Sequence, residues 1–285
     1  MKHAYLIIAH NQFDVLRLLL RAIDDERNDI FIHFDKKVEV LPDIAVQRAN
    51  LHVLKNRVDV RWGDVSMVEA ELLLFEAAFR NAAYAYYHLL SGVDMPLKPQ
   101  NEIHDFFHKN VGKEFIGYFR GETKEDLNRR AQRIHLFPKD FKSKNGFSQL
   151  LKQGIRYTFL RIQLLLGIKR NKNIAFKKGT QWVSVTHGFV EYLLKQKNDI
   201  LKTYRNSFCS DELYKQTVCW NSSFRENIYD ALDEGRGCMR HIGWKNNQLA
   251  EFTMADLDKL KQSEAMFGRK FSSKQAEVAE AVTSI

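Results

Sequence analysis

Residues 87–98 read YHLLSGVDMPLK. An apolar run ends at Ser91-Gly92, a lone acid, Asp94, follows among small or apolar neighbours, and Pro96 bars the chain from continuing as a ladder strand. The stretch therefore predicts a central strand over residues 85–92, with a tight glycine exit and one carboxylate held at its carboxyl end. Spacing alone leaves two readings of Asp94, an Asx-turn closing on its own backbone or an acid facing a ligand cleft. A second acid, Asp35, ends the run IFIHFD in the same kind of position, which weighs toward the cleft.

The segments around this strand alternate in type. AYLIIAH (4–10) is an apolar β-run, QFDVLRLLLRAID (12–24) repeats its leucines at helical spacing, and DIFIHFD (29–35) and LHVLK (51–55) read as further strands. SMVEAELLLFEAAFRNA (66–82) makes a long helix before the strand at 85–92. Such βαβ order predicts an α/β fold with a mainly parallel central sheet flanked by helices, taking ligands at the carboxyl ends of its strands. The chain has 285 residues, 45% of them hydrophobic, and no repeat or low-complexity tract, so residues 1–285 are expected to form a single domain.

Several function classes are excluded. The opening MKHAYLIIAHNQ has an apolar run of only 4–9, closed by His10-Asn11-Gln12, and reads as a strand rather than a signal peptide. No stretch approaches the ~18 apolar residues of a spanning helix. Cys209, Cys219 and Cys238 are odd in number and lack metal-type spacing, which fits a reduced, cytoplasmic compartment. His104 and His108 stand i,i+4 in EIHDFFHK, but no third metal ligand joins them. Ser184 and His187 lack a nucleophile elbow, and no glycine-rich phosphate loop is present.

The net charge of +9 is concentrated in one place. Residues 139–178 carry 11 Lys/Arg against the single acid Asp140, a local +10 that leaves the rest of the chain at −1. Within this basic amphipathic insertion, FSQLLKQGIRYTFLRIQLLLGIKR (147–170) spaces Leu, Ile and Phe as a helix does, with Lys152, Arg156, Arg161, Lys169 and Arg170 between them. It reads either as a surface helix facing an anionic membrane or as a core-packing helix with a solvated basic face. No recognised motif accompanies the charge, so no nucleic-acid partner is expected.

Six stretches in chain order, IFIHFDKK, RWGDVSMVEAELLLFEAAF, YYHLLSGVDMPLK, GTQWVSVTHGFVEYLL, CSDELYKQTV and MFGRKF, resemble the core-2/I-branching β-1,6-N-acetylglucosaminyltransferases and their peptide xylosyltransferase relatives. The resemblance runs over residues 4–271 and is poor across 121–178. It implies a GT-A-like nucleotide-sugar-binding fold and an inverting transfer without a metal or other cofactor. The sugar, N-acetylglucosamine first and xylose as the alternative, passes from a UDP-sugar co-substrate to a glycan or lipid-linked saccharide acceptor. The turn at 92–94 agrees with the metal-free expectation, because a D-x-D pair is missing there, Val93 standing between Gly92 and Asp94, and one carboxylate holds magnesium or manganese poorly.

The resemblance also implies roles for particular residues. Glu212 of CSDELYKQTV is the catalytic base, beside Asp211; read locally, Ser210 is an N-cap and both acids merely suit a helix start. Ile8, His10 and Asp35 surround the base and ribose, with His10 alternatively a structural histidine. Arg240 and Lys270 contact the diphosphate, with Arg269 in reserve, and Asp94 belongs to the same donor crevice. Trp182 is acceptor-binding, or else a core tryptophan. A start directly at the first strand adds the expectation of a bacterial, cytoplasmic enzyme of surface-polysaccharide synthesis, held peripherally at the inner membrane by the basic helix. The alternative of a different class is a non-catalytic membrane-surface binding protein.

Overall fold

The computed structural model describes residues 1–142, 146–245 and 248–283; within the basic segment 139–178, residues 143–145, including Lys144, lie outside the described residues. The first half follows the apolar periodicity closely, as β1 (His3–Ala9), α1 (Phe13–Ala22), β2 (Asn28–Phe34), β3 (Asn50–Val53), α2 (Ser66–Asn81) and β4 (Tyr86–Ser91). There follow β5 (Met95–Pro96), α3 (Gln100–Lys109), β6 (Phe115–Ile116), a short α4 (Lys124–Leu127) and the long α5 (Phe147–Leu165). Then β7 (Val183–Thr186), α6 (His187–Lys195), α7 (Lys197–Tyr204) and α8 (Tyr214–Trp220) return the chain to the sheet.

The central sheet has the order β3-β2-β1-β4-β7-β6, with β1 to β4 parallel and β7 antiparallel to both of its neighbours. Strand β1 is buried throughout and almost wholly apolar, because both of its faces are covered. Tyr5, Ile7 and Ala9 join the cluster containing Leu16 and Leu19 of α1, while Leu6 and Ile8 join that containing Val68, Leu72 and Phe75 of α2. The chain runs outward from β1 through α1 to β2 and β3, then crosses back through α2, on the opposite face, to β4 on the other side of β1, so the crevice between β1 and β4 is the switch point where such sheets take ligands.

Pro96 is explained by a second, smaller sheet. The C-terminal part supplies α9 (Glu234–Cys238), β8 (Arg240–Ile242), an antiparallel pair β9 (Trp244–Lys245) and β10 (Gln248–Leu249), α10 (Leu257–Gln262), β11 (Phe267–Arg269) and α11 (Ala276–Thr283). The strands assemble in the order β5-β11-β8, with Pro96 opposite Phe267 and Met95 opposite Gly268. As an edge strand, β5 tolerates the missing proline N–H.

Helix α5 overturns the core-packing reading of the basic segment. Its buried side chains are Gln149 and Gln163, whereas Phe147 and Leu165 are each 84% exposed. The body against which it lies offers backbone polar groups that need partners. Gln163 pairs with both the N–H and the carbonyl of Ile134, and Arg156 donates to the carbonyls of Leu136 and Phe137.

One fully buried ion pair ties α2 to α8. Glu71 accepts hydrogen bonds from Lys215 Nζ, from Tyr214 OH at 2.6 Å and from Gln181 Nε2 at 2.7 Å. Lys215→Met is predicted to destabilise the fold by about 3–5 kcal/mol, because it strands a buried carboxylate. Adding Glu71→Gln should recover most of that loss in urea denaturation; equal destabilisation of the single and double variants would refute the assignment.

Candidate functional site

At the carboxyl end of β4, Asp94 takes the first of the two readings the sequence left open, the closed turn. Its Oδ2 accepts from the Ser91 backbone N–H at 2.8 Å, closing a turn, and its Oδ1 accepts from Ser91 Oγ at 2.8 Å and from Arg269 at 2.6 Å. The acid is buried beneath Arg269 and does not itself face an open cleft. Arg269 also donates to Ser91 Oγ, and its guanidinium lies 4.4 Å from the centre of the Trp182 ring. The neighbouring backbone is pinned by Phe271 N–H on the Val93 carbonyl and by Ser273 N–H on the Gln12 side chain, each at 2.9 Å. These bonds bring the C-terminal MFGRKF stretch against the first and fourth strands.

The ends of β1 and β2 add the next groups. Asp35 is fixed by its own backbone N–H on the Ala9 carbonyl at 2.9 Å, and its carboxylate accepts from the Lys37 N–H and from Lys37 Nζ at 2.9 and 2.8 Å. His10 senses the assembled charges. Partial burial lowers its pKa first, Asp35 opposes this, and Lys37, Lys270 and Arg269 lower it further, so the ring is neutral near pH 7. Lys270 forms a partly exposed pair with Glu251 at 3.2 Å. The Ile8 side chain is buried in the core and its carbonyl is taken by Gly92 N–H at 2.9 Å, so Ile8 shapes the strand end without offering a polar group.

The two expected acids of the CSDE stretch differ from the sequence reading in one respect. Ser210–Glu212 form a single 3-10 turn before α8, and the buried Ser210 hydroxyl caps nothing among the described residues. Glu212 keeps a 39% exposed side chain and accepts from Arg130 at 3.0 Å. Burial, then repulsion from Glu212 and Glu71, pushes the Asp211 carboxyl up to about 7, while Lys215 opposes the shift. The Glu212 carbonyl accepts from Gly179 N–H at 3.0 Å. Gly179 can only be glycine here, since a Cβ would stand 1.8 Å from the Gly117 carbonyl oxygen. Trp182 therefore lies three residues beyond one anchor to the Glu212 turn and one residue beyond Gln181, which is bonded to Glu71.

Two expectations change with the geometry. Arg240 is buried and donates to the carbonyls of Cys238 and Val183 at 2.6 and 2.9 Å and to Ser184 Oγ at 3.0 Å, while its guanidinium stacks 4.4 Å from the Phe267 ring centre. The strand pairing of β8 with β11 directs it inward, and burial lowers its pKa to about 10, so it stays charged. It borders a separate cavity of about 540 Å³ lined also by Tyr229, Arg236 and His241, which none of the other expected site residues reach. Arg269, held in reserve by the sequence, occupies the crevice instead. His104 is likewise structural, bonded to Asn28 at 2.9 Å and stacked on His3. Among the described residues, no group of three or more His, Cys, Asp or Glu is placed to hold a metal ion.

The residues missed were Arg130, Gln181 and Glu71. Glu71 left a signal, because it stands three residues after Val68 and four before Phe75, on the apolar face of α2. Arg130 lies in the stretch 121–178, where no motif could have identified it.

This chain is similar over most of its length to proteins of one group. Xylosyltransferase 2 of Canis lupus familiaris is 24% identical over 294 residues, covering 95% of this chain and 32% of its own. The N-acetyllactosaminide beta-1,6-N-acetylglucosaminyl-transferase of Mus musculus is 23% identical over 292 residues, covering 94% of this chain and 68% of its own. The chain thus spans about a third of the length of the xylosyltransferase it matches. The structure of mouse xyloside xylosyltransferase 1 in its apo form aligns over 96% of this chain and 99% of its own at a TM-score of 0.38 and 10% identity, a likeness too distant to add weight. Residues 3–263 match the family model described as Core-2/I-Branching enzyme, and the chain belongs to the core-2/I-branching enzyme family.

Proposed function

We propose that this chain is an inverting glycosyltransferase of GT-A-like fold that moves a sugar from a UDP donor to a hydroxyl of a glycan or lipid-linked saccharide. The reading takes N-acetylglucosamine as the sugar, xylose as the alternative, and a surface-polysaccharide precursor as the acceptor. The observation that carries it is the gathering of Asp35, His10, Arg269 and Lys270, from opposite ends of the chain, at the carboxyl ends of β1, β2 and β4. A neutral His10 and the carboxylate of Asp35 suit the uridine, whose base and hydroxyls offer hydrogen-bonding groups without charge.

The leaving diphosphate needs compensating positive charge. Lys270 supplies it by exchanging its partly exposed bond to Glu251 for phosphate oxygens, a pairing in water that contributes little. Arg269 adds its field from a fixed place, because Asp94 and Ser91 hold one edge of it and Trp182 one face. Asp94 is in this account a positioning residue. With its oxygens already engaged by a guanidinium and by Ser91, it makes a poor metal ligand, and no step is assigned to a cation.

Glu212 acts as base. An acceptor oxygen attacks the anomeric carbon from the face opposite UDP, its proton passes to the Glu212 carboxylate, and the bond to the diphosphate oxygen breaks with its electron pair leaving on UDP. Arg130 donates to the carboxylate and orients it before attack. Asp211 stays in the turn beneath it and keeps part of its population protonated near neutral pH.

A panel of nucleotide sugars should yield one that raises the melting temperature by mass action, with UDP-N-acetylglucosamine as the expected hit and UDP-xylose as the alternative. Stabilisation by no UDP-sugar would contradict the reading. Transfer in excess EDTA should equal that of the untreated enzyme, whereas complete loss restored by manganese would overturn the metal-free mechanism.

Glu212→Gln should retain donor affinity within a few-fold and lose about a hundredfold or more in turnover. Near wild-type transfer would move the role of base to Asp211. Asp211→Asn reports a separate property. Because the folded Asp211 pKa is raised above its ordinary value of 3.8, the folded state binds the extra proton and its ionised form costs stability as pH rises toward 7. The stabilisation of Asp211→Asn over wild type should therefore grow from pH ~4 to pH ~8 in thermal melts. A gain that shrinks over that range would refute the burial of this carboxyl.

A further inference from the structure

Helix α5 turns four of its polar residues inward. Gln149, Lys152, Arg156 and Gln163 are spent on the protein, on Asp140, on the Phe137 and Leu136 carbonyls and on Ile134. Residues 147, 151, 158, 162 and 165 recur at helical spacing along the opposite side, and Phe147, Leu151, Ile162 and Leu165 among them are exposed apolar side chains. Leu150 and Leu166 widen the stripe, at 67% and 69% exposure. Exposed apolar side chains recurring along one side of a water-exposed helix mark a docking face.

The surrounding charge selects the occupant. Lys139, Arg161, Lys169 and Lys172 are exposed beside or beyond the ends of the stripe, and Asp140, the one acid of the segment, is neutralised by Lys152 at 2.8 Å. A second copy docking through the same face would bring like charges together. An anionic lipid surface answers both properties, since acyl chains accept the stripe and headgroup phosphates accept the flanking cations. We infer that the outer face of α5 seats the protein on a bilayer bearing anionic headgroups.

The seat is connected to the transfer site. Arg156 lies 4.4 Å over the Phe141 ring, Phe141 packs at 4.8 Å on Phe208, and Phe208 stands two residues before the Ser210–Glu212 turn. Through this contact the bilayer adjoins the acceptor side of the proposed transferase, a point that rests on the transferase reading, whereas the docking itself does not.

The test is co-sedimentation of the whole chain with phosphatidylcholine vesicles, with and without phosphatidylglycerol. The wild type should pellet only with the anionic vesicles, and high salt should release it. Leu151→Glu with Leu165→Glu should lower the bound fraction roughly tenfold or more with an unchanged melting temperature, and Lys169→Glu with Lys172→Glu should weaken binding without touching the stripe. Three results would overturn the inference: no pelleting with either vesicle at low salt, equal pelleting with both, or a concentration-dependent dimer in analytical ultracentrifugation that the double leucine variant abolishes. Stabilisation by UDP-sugar, measured on the same variants, reports the transferase reading independently.

Discussion

A carboxylate closed off from water must be supplied with donors, and the arrangement of Glu71 follows from that requirement. Its donors come from two places far apart in sequence: Lys215 and Tyr214 at the start of α8, and Gln181 in the loop before β7. Burial by itself lowers the Lys215 pKa, and the facing Glu71 opposes this, so each charge is tolerable only with the other present. From that one point the rest of the site is positioned in sequence. Gln181 sets Trp182, Trp182 and Asp94 set Arg269, and the bond between Gly179 and the Glu212 carbonyl sets the acidic turn.

Charge at the site divides into groups that build it and groups left to act. Arg240, Asp94, Lys215 and Glu71 are buried and engaged by protein partners; altering them acts first on folding. Lys270 and Glu212 keep exposed side-chain surface, each with one ion-pair partner among the described residues, Glu251 and Arg130. The same economy of donors explains α5. Gln149, Arg156 and Gln163 are consumed by the 134–140 backbone, and Lys152 by Asp140, which leaves the apolar side outward.

What the sequence disclosed followed the length and burial of each element. Strands β1, β2 and β4 are buried throughout and mainly apolar, and α1 and α2 are long enough for their period to show. Strands β5, β8 and β11, of two or three residues, have no period to read, although they decide which base enters the crevice. Arg269 and Arg240 therefore looked alike in sequence and were separated only by the pairing of β11 with β5 and β8. In α5 the spacing showed that an apolar stripe exists but not which way it faces, because the partners that turn the polar side inward lie in a preceding loop of irregular backbone.

The central claim is that the carboxyl ends of β1, β2 and β4 bind a nucleoside diphosphate through Asp35 and Lys270. Calorimetric titration of UDP into the wild type, Asp35→Asn and Lys270→Gln, with uridine as a control ligand, tests it directly. The account predicts that Lys270→Gln weakens UDP by about tenfold, as expected for a lost charge-assisted contact, and leaves uridine unchanged, while Asp35→Asn weakens both. Equal UDP affinity in all three proteins would place the nucleotide elsewhere and contradict the account.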